Sequence, residues 1–440
     1  MSIDTKTWKA FAAAHAPDLT RTVFLPGLVT DPAHLARLID DSLRTATRHA
    51  PGELRLRAFR PGAFDYRLTQ RLVTTPPADD ERAVDWLTRV AGSDEECLAV
   101  NDISAWNLEL AAEVARIVGE LDAEGVHELV SGTDAYTFVA HSGWTPFGIH
   151  KDSEPSLIFH LGPSPKEVFV WHDQPFDASG ITPNPSFGRI TFDIEEHLGT
   201  AERHLLQPGD FLCIPQDTYH VFRNLGPSAF LGLTPYPAKT RTLITEALWR
   251  ATPAPAPLPP HPPAHALLTA AEALLAPYAH ASATQSLVHA GTPAASVPVP
   301  IAPPASPPGS ARPSLLDRVV HELNLNQMRL RTTGHLNRPH QAALPRTAPA
   351  PGALLRWVRP GVLAAVPHPD GSGSILVTRG RTLTVPGVEA EAFAPLTEST
   401  TSTAPFTFDQ LVATLPSALD AAERDRIAHA LHTTGAVIAR

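Results

Sequence analysis

Between residues 251 and 313 the chain carries 16 of its 46 prolines, in a background of alanine and serine. That stretch limits everything around it. Proline fixes φ and removes a backbone donor, so the segment cannot sustain a helix or a sheet ladder and is expected to run as an extended, partly rigid linker with disordered flanks. Its one interruption, Ala264 to Leu275, has the composition of a short docking helix. The chain is thereby divided into residues 1–250 and 314–440, and at 440 residues two or three domains are expected.

The first part holds the chemistry. Gly148-Ile149-His150-Lys151-Asp152 is followed, seventy residues after His150, by His220. If His150 and Asp152 lie on one strand, their side chains share a face, because strand side chains alternate with period two. A distant His220 on the same side completes two imidazoles and one carboxylate around a metal, the set that leaves positions open on non-haem Fe(II). His-x-Asp by itself is a weak signal: with 21 histidines, about one match arises by chance. A second copy, His368-Pro369-Asp370, runs into Gly371-Ser372-Gly373-Ser374 and reads as a polar turn.

What distinguishes the first copy is its setting. Asp134 to His141 is β-rich and Ser142 to Gly148 loop-like, while Ser156 to Leu161 and Glu167 to Trp171 read as strands separated by Gly162-Pro163-Ser164-Pro165-Lys166, whose prolines forbid a continuous central strand. Gln207-Pro208-Gly209-Asp210 is a turn that launches the apolar strand Phe211 to Ile214. Pro215 ends that strand, a short loop delivers His220, and Ala229 to Thr234 is a further strand.

Over residues 130–237, about a quarter of the chain, these residues resemble the JmjC-type cupin oxygenases that use Fe(II) and 2-oxoglutarate, a family that includes ribosomal-protein and asparaginyl hydroxylases. The resemblance implies an α+β protein with a double-stranded β-helix (cupin jelly-roll) core. His150, Asp152 and His220 would hold the metal, and Lys166 would hold the distal carboxylate of 2-oxoglutarate, a role suited to a compact charge on a long stem. Ser156 and Thr234 fall near positions of polar contacts to that co-substrate. Related branches place an arginine about ten residues after the distal histidine; Phe230 stands there, which favours Lys166. The implied activity is hydroxylation of a protein or peptide side chain.

Each residue also has a plainer reading. Lys166 in a Pro-rich hairpin is commonly a solvated turn residue, and His150 a polar residue after a glycine loop. His141, His160, His172, His197 and His204 read as structural or surface groups, with His160 able to face a pocket. Cys213 alternates with apolar residues and reads as a small buried hydrophobe. Two alternatives to an oxygenase stay open: a cupin that keeps its metal as a structural or sensory centre and recruits a partner, and a cupin enzyme that works on a small metabolite without 2-oxoglutarate.

The rest of the chain bounds the partners. A net charge of −10 argues against a nonspecific nucleic-acid grip. Two cysteines make no disulfide framework. Without a signal-like start or an apolar run of spanning length, no membrane partner is expected and a cytoplasmic location is. Residues 1–130 read as a supporting region, with helices at Thr7–Ala14, after the Asp31 cap and Pro32, at Ala83–Ala91 and at Ser104–Gly119. Residues 131–250 form the expected barrel, ending in a helix from Arg241 to Arg250. Residues 314–440 open on a helix capped by Ser314, continue in a small β element with an Arg379-Gly380-Arg381 turn, and end helix, helix, strand. That order is similar to a small winged-helix domain, suited to partner docking or support of a homodimer.

Overall fold

The computed structural model describes residues 2–15, 19–60, 63–93, 96–123, 130–172, 176, 181–183, 190–237, 240–252, 315–350 and 352–439. The linker, the helix expected at 264–275 and the Ser314 cap lie outside the described residues. Before the linker the strands are β1 (Val23–Leu25), β2 (Leu56–Arg60), β3 (Ala63–Phe64), β4 (Cys97–Val100), β5 (Val130–Ala140), β6 (Gly143–Trp144), β7 (Ser156–Pro163), β8 (Lys166–Trp171), β9 (Ile181–Pro183), β10 (Ile190–Phe192), β11 (Glu202–Leu206), β12 (Phe211–Ile214), β13 (Tyr219–Asn224) and β14 (Ser228–Pro237).

Two antiparallel sheets carry the site. One has eight strands in the order β1-β12-β7-β14-β5-β4-β2-β3, the other four in the order β11-β8-β13-β6. Period-two alternation decides what each face meets. In β7, Leu157, Phe159 and Leu161 turn toward helices, whereas Ile158 turns toward the second sheet. In β8, Val168 and Val170 turn inward to meet it, while Phe169 and Trp171 turn outward. The inner faces thus share one apolar layer that includes Phe138, Ile158, Val170, Leu212, Phe222 and Phe230.

Helices Thr5–His15, Pro32–His49, Ala83–Ala91 and Leu108–Ala123 contribute to the core on the outer face of the larger sheet. The second begins as its sequence dictates: Asp31 accepts from the His34 amide at 2.9 Å and Pro32 occupies the first turn. Leu35, Leu38, Ile39 and Leu43 then recur on one buried stripe, each contributing roughly 1.5–3 kcal/mol on burial. The Trp8 indole stacks on Phe11 and meets Phe159 and Phe211, with Nε1 donating to the Ile117 carbonyl at 2.9 Å.

Beyond the linker, helix Leu315–Thr333 leads to a three-stranded antiparallel sheet of Leu363–Pro367, Gly373–Thr378 and Arg381–Pro386. Its tight turn places Arg379 and Gly380 at φ +48° and +74°. Helices Phe408–Ala413 and Ala421–Thr433 and strand Val437–Ala439 follow in the expected order. Strands Leu354–Trp357 and Phe406–Thr407, which pair in the same sheet as Val437–Ala439, carried too few alternating residues to be read from the sequence.

Helix Leu108–Ala123 joins the two sides of the linker. Leu110, Val114, Ile117 and Leu121 belong to the core beside the larger sheet, and Leu108 and Ala112 belong to the core of the C-terminal part. A Cβ on Gly334 would stand 2.2 Å from the Ala115 Cβ, so that approach needs glycine, at φ +71°.

Candidate metal centre and pocket

His220 is the second residue of β13, and His150 faces it in an isolated antiparallel bridge. The two backbones exchange both hydrogen bonds, at 3.1 and 2.8 Å, and the imidazole centroids lie 4.4 Å apart. Asp152 is not on a strand, contrary to the simplest reading of the spacing. It sits in the loop before Pro155, where its carbonyl accepts from the Asp217 amide at 2.8 Å. Its carboxylate nevertheless comes within 3.9 Å of His150 Nε2 and 3.7 Å of His220 Nε2. One ligand atom from each of the three lies within 4.8 Å of the others.

The ring orientations fit a metal. His150 Nδ1 lies 2.9 Å from the Gly148 carbonyl and His220 Nδ1 lies 2.9 Å from the Thr218 carbonyl. Each Nδ1–H therefore donates to backbone, which fixes the tautomer and leaves the Nε2 lone pair for a cation. Burial, reinforced by the neighbouring His150 and opposed by Asp152, pushes the ionisation of His220 down to about 4. A neutral imidazole is the ligating form.

The triad lines a cavity of about 250 Å³ that also touches Tyr136, Phe138, Ser156, Phe222, Phe230 and Thr234. Ser156 and Thr234 thus both line the cavity, and both hydroxyls hydrogen-bond to the phenol of Tyr136. Tyr136 was missed because a lone tyrosine in a β-rich run carries no spacing signal. Burial raises its ionisation above the usual phenol range. Its ring lies over β14 because Gly232 makes room: a Cβ there would stand 2.2 Å from Tyr136 Cζ. Gly232→Ala is expected to cost about 1–3 kcal/mol in urea unfolding through overpacking. Stability equal to the parent's would mean that the ring simply moves aside.

Lys166 departs most from its plainer reading. It is no turn residue but the first residue of β8, paired with Leu206 and Asn224 and 0% exposed. Its Nζ has no hydrogen-bond partner and lies 4.8 Å from the Phe230 ring centroid, with Phe138 and Phe222 at 5.8 and 5.9 Å. These three rings also line the cavity. Burial drives the ionisation of Lys166 down to about 7.

Other polar groups at the cavity were not legible in sequence. Arg57 Nη2 donates to Asn101 Oδ1 at 3.0 Å, Asn101 Nδ2 donates to Asp134 Oδ2 at 2.5 Å, and Glu154 and Tyr236 also line the space. Burial raises the ionisation of Asp134. Of the remaining histidines, His172 and His204 pair with Glu202 at 2.9 and 3.2 Å. His160 is buried, its Nε2 2.8 Å from the Ser164 carbonyl, and is absent from the cavity wall. His368 and Asp370 form the expected polar turn, closed by the Gly371 amide on the His368 carbonyl at 3.0 Å. Cys213 is buried on β12, as expected of a small hydrophobe.

Burial, with Lys166 adding to it, lowers His160 to about 3. His160 and His220 both stay neutral in the fold well below the 6.5 of an unfolded histidine, so the unfolded chain binds more protons from about pH 6.5 downward. Stability is complete above that point and is lost as pH falls toward the folded values, on the order of 3 kcal/mol per imidazole by about pH 4. Urea unfolding of His160→Asn across that range should show a shallower acid slope than the parent; identical slopes would refute the assignment to His160.

No family model matches the chain, and no curated protein matches it. Among solved structures it is similar to YcfD, a ribosomal oxygenase from Escherichia coli, at 16% identity over 100% of both chains with a TM-score of 0.48. It is also similar to YcfD in complex with cobalt and 2-oxoglutarate, at 15% identity over 99% of this chain and 98% of that one, with a TM-score of 0.46. A likeness this loose leaves reaction and substrate to be argued from the side chains. Among the described residues no helix is long and apolar enough to cross a membrane.

Proposed function

We propose that the protein is an Fe(II)- and 2-oxoglutarate-dependent oxygenase that hydroxylates a protein or peptide side chain. The observation that carries this reading is Lys166: a buried amine with no partner, set against three rings of the same cavity that the His150–Asp152–His220 group opens onto. An isolated buried ammonium is costly, and a carboxylate reaching it through the cavity would offset that cost. Lys166 does not itself line the cavity but stands against the Phe138, Phe222 and Phe230 rings that do, so a small dicarboxylate held at the triad would have to reach past those rings to meet the amine. Side chains filling that space would have favoured the binding-module alternative.

In this reading, 2-oxoglutarate bound with Fe(II) supplies the activation of O₂ that C–H hydroxylation requires. The chain's own residues do the rest. His150, Asp152 and His220 would hold the cation through two imidazole nitrogens and one carboxylate. Lys166 binds the far carboxylate, while Tyr136, Ser156 and Thr234 offer hydroxyl contacts along the molecule. Phe138, Phe222 and Phe230 exclude water from the buried end. Arg57, Asn101, Asp134, Glu154 and Tyr236 give polar contacts for a substrate backbone or side chain. Residues 131–250 then constitute the catalytic barrel, of double-stranded β-helix type, supported by residues 1–130. Residues 314–440 serve partner docking as a winged-helix-like domain.

The test is anaerobic titration with Fe(II) and 2-oxoglutarate. A visible charge-transfer absorption, appearing only when both are present, is the expected result. Fe(II) binding without that absorption would exclude chelation by 2-oxoglutarate and with it this reading.

A further inference from the structure

A second cleft of about 750 Å³ is lined by Arg116, Arg356, Arg359, Thr400, Ser402 and Thr403, none of which lines the cavity of the triad. We propose that this cleft binds a phosphate group of a small ligand, gripped by Arg359 with Arg379 behind it. Charge pairing singles out these two guanidiniums. Arg116 pairs with Glu113, and Arg356 with Glu109 at 2.9 Å. Glu120, also in the cleft, pairs with Lys9 at 3.6 Å, and Glu113 additionally accepts from the Ser2 amide at 3.2 Å.

No carboxylate pairs with Arg359 or Arg379 among the described residues. Arg359 donates from Nη1 to the Pro360 carbonyl at 2.7 Å and from Nη2 to the Arg331 carbonyl, and its Nε is buried without a partner. Arg379 does not line the cleft and acts on it through its charge beside Arg359; it is 1% exposed, and its Nε and Nη1 have no partner. Burial, then the charge of Arg379, hold Arg359 down at about 9 even with Asp122 pulling the other way, and burial holds Arg379 at about 10. Both remain cations at neutral pH. Asp122 itself stands 3.0 Å from His335 Nε2. Carbonyls at the end of helix Leu315–Thr333 offset part of the charge, but a helix terminus supplies only about half an elementary charge against two whole ones.

A phosphate completes this arrangement. Its oxygens match the guanidinium fork, and charge-assisted bonds of that kind are the strong ones. Ser402 Oγ accepts from the Ala404 amide at 3.2 Å and retains its own proton to donate. Glutamates in the same cleft and a net charge of −10 disfavour a long polyanion, so a single phosphate group fits better than a nucleic-acid backbone.

The test is isothermal titration of the full chain with inorganic phosphate at constant ionic strength, followed by an oligouridylate. Parent protein and Lys166→Met should bind phosphate alike. Arg359→Gln and Arg379→Met should each weaken binding at least about tenfold, and Arg359→Lys, which keeps the charge and loses the fork, should fall between. Arg379→Met should also raise the melting temperature without phosphate, because it removes an uncompensated buried charge. If Arg359→Gln fails to fold, Arg359→Lys and Arg379→Met decide. Absence of phosphate binding in the parent, or equal affinity in these variants, would overturn the proposal, and tighter binding of the oligouridylate than of phosphate would overturn the small-ligand assignment.

Discussion

Replacing Lys166 with methionine is expected to strengthen the fold and disable the pocket together. The folded amine ionises at about 7 against 10.5 for a free lysine, because burial disfavours its charge. Between these values the unfolded chain binds more protons than the folded one, so stability rises with pH from about 7 toward 10.5. Below about pH 7 the full cost of burying the ammonium is present, on the order of 3–5 kcal/mol. Methionine fills a similar volume without the charge. Lys166→Met should therefore unfold at higher urea than the parent near pH 6, with most of that advantage gone near about pH 9. The same substitution should weaken 2-oxoglutarate binding by roughly a hundredfold or more and leave Fe(II) affinity unchanged, because only the distal contact is removed. Unchanged 2-oxoglutarate affinity would assign that carboxylate to another residue, and an unstabilised methionine variant would mean that the amine is neutral or solvated in the fold.

Lys166 also shows where sequence reading stopped. The prolines at 163 and 165 mark a turn, and a lysine beside a turn is ordinarily solvated. Burial here follows from pairing: Lys166 is flanked by Leu206 on one neighbouring strand and Asn224 on the other, which turns its stem to the inner face. No local pattern reports such a long-range register. Helix starts were more legible because a cap is local chemistry, as at Asp31-Pro32, where Asp31 accepts from the His34 amide at 2.9 Å. His150 and His220 were legible for a different reason: the His-x-Asp pair follows a glycine loop and His220 follows the Phe211–Ile214 strand and its Pro215 stop, and the fold brings the two together in an isolated antiparallel bridge. Asp152 reached the site by a loop rather than by strand alternation, so the three residues come together, though not by the alternation the spacing suggested.

The linker suggested separable halves, yet the packing ties them. The Thr133 amide on β5 donates to the His335 carbonyl at 2.6 Å, and Leu108 lies in the C-terminal core, where a Cβ on Gly435 would approach it to 2.9 Å. Composition detects where a chain cannot form a core. It does not detect that helix Leu108–Ala123 has two apolar faces with different owners, because its small and aliphatic residues satisfy one buried stripe as readily as two.

Asp152→Ala separates metal binding from folding more cleanly than any other change at the triad. The Asp152 side chain is 43% exposed, and its structural hydrogen bond runs through the backbone carbonyl, which alanine retains. Stability should stay within about 1 kcal/mol of the parent. Cation affinity should not survive in the same way. The carboxylate is the one anionic ligand beside two neutral imidazoles, and its loss removes both a bond and the charge that balances a divalent ion. A fall of roughly a hundredfold or more is expected in a cobalt titration followed by visible absorption. The second His-x-Asp copy supplies the control, since Asp370→Ala alters an exposed turn and should leave cobalt affinity as it was. If Asp152→Ala and Asp370→Ala bind cobalt equally well, the His150–Asp152–His220 group is not where the protein holds a metal.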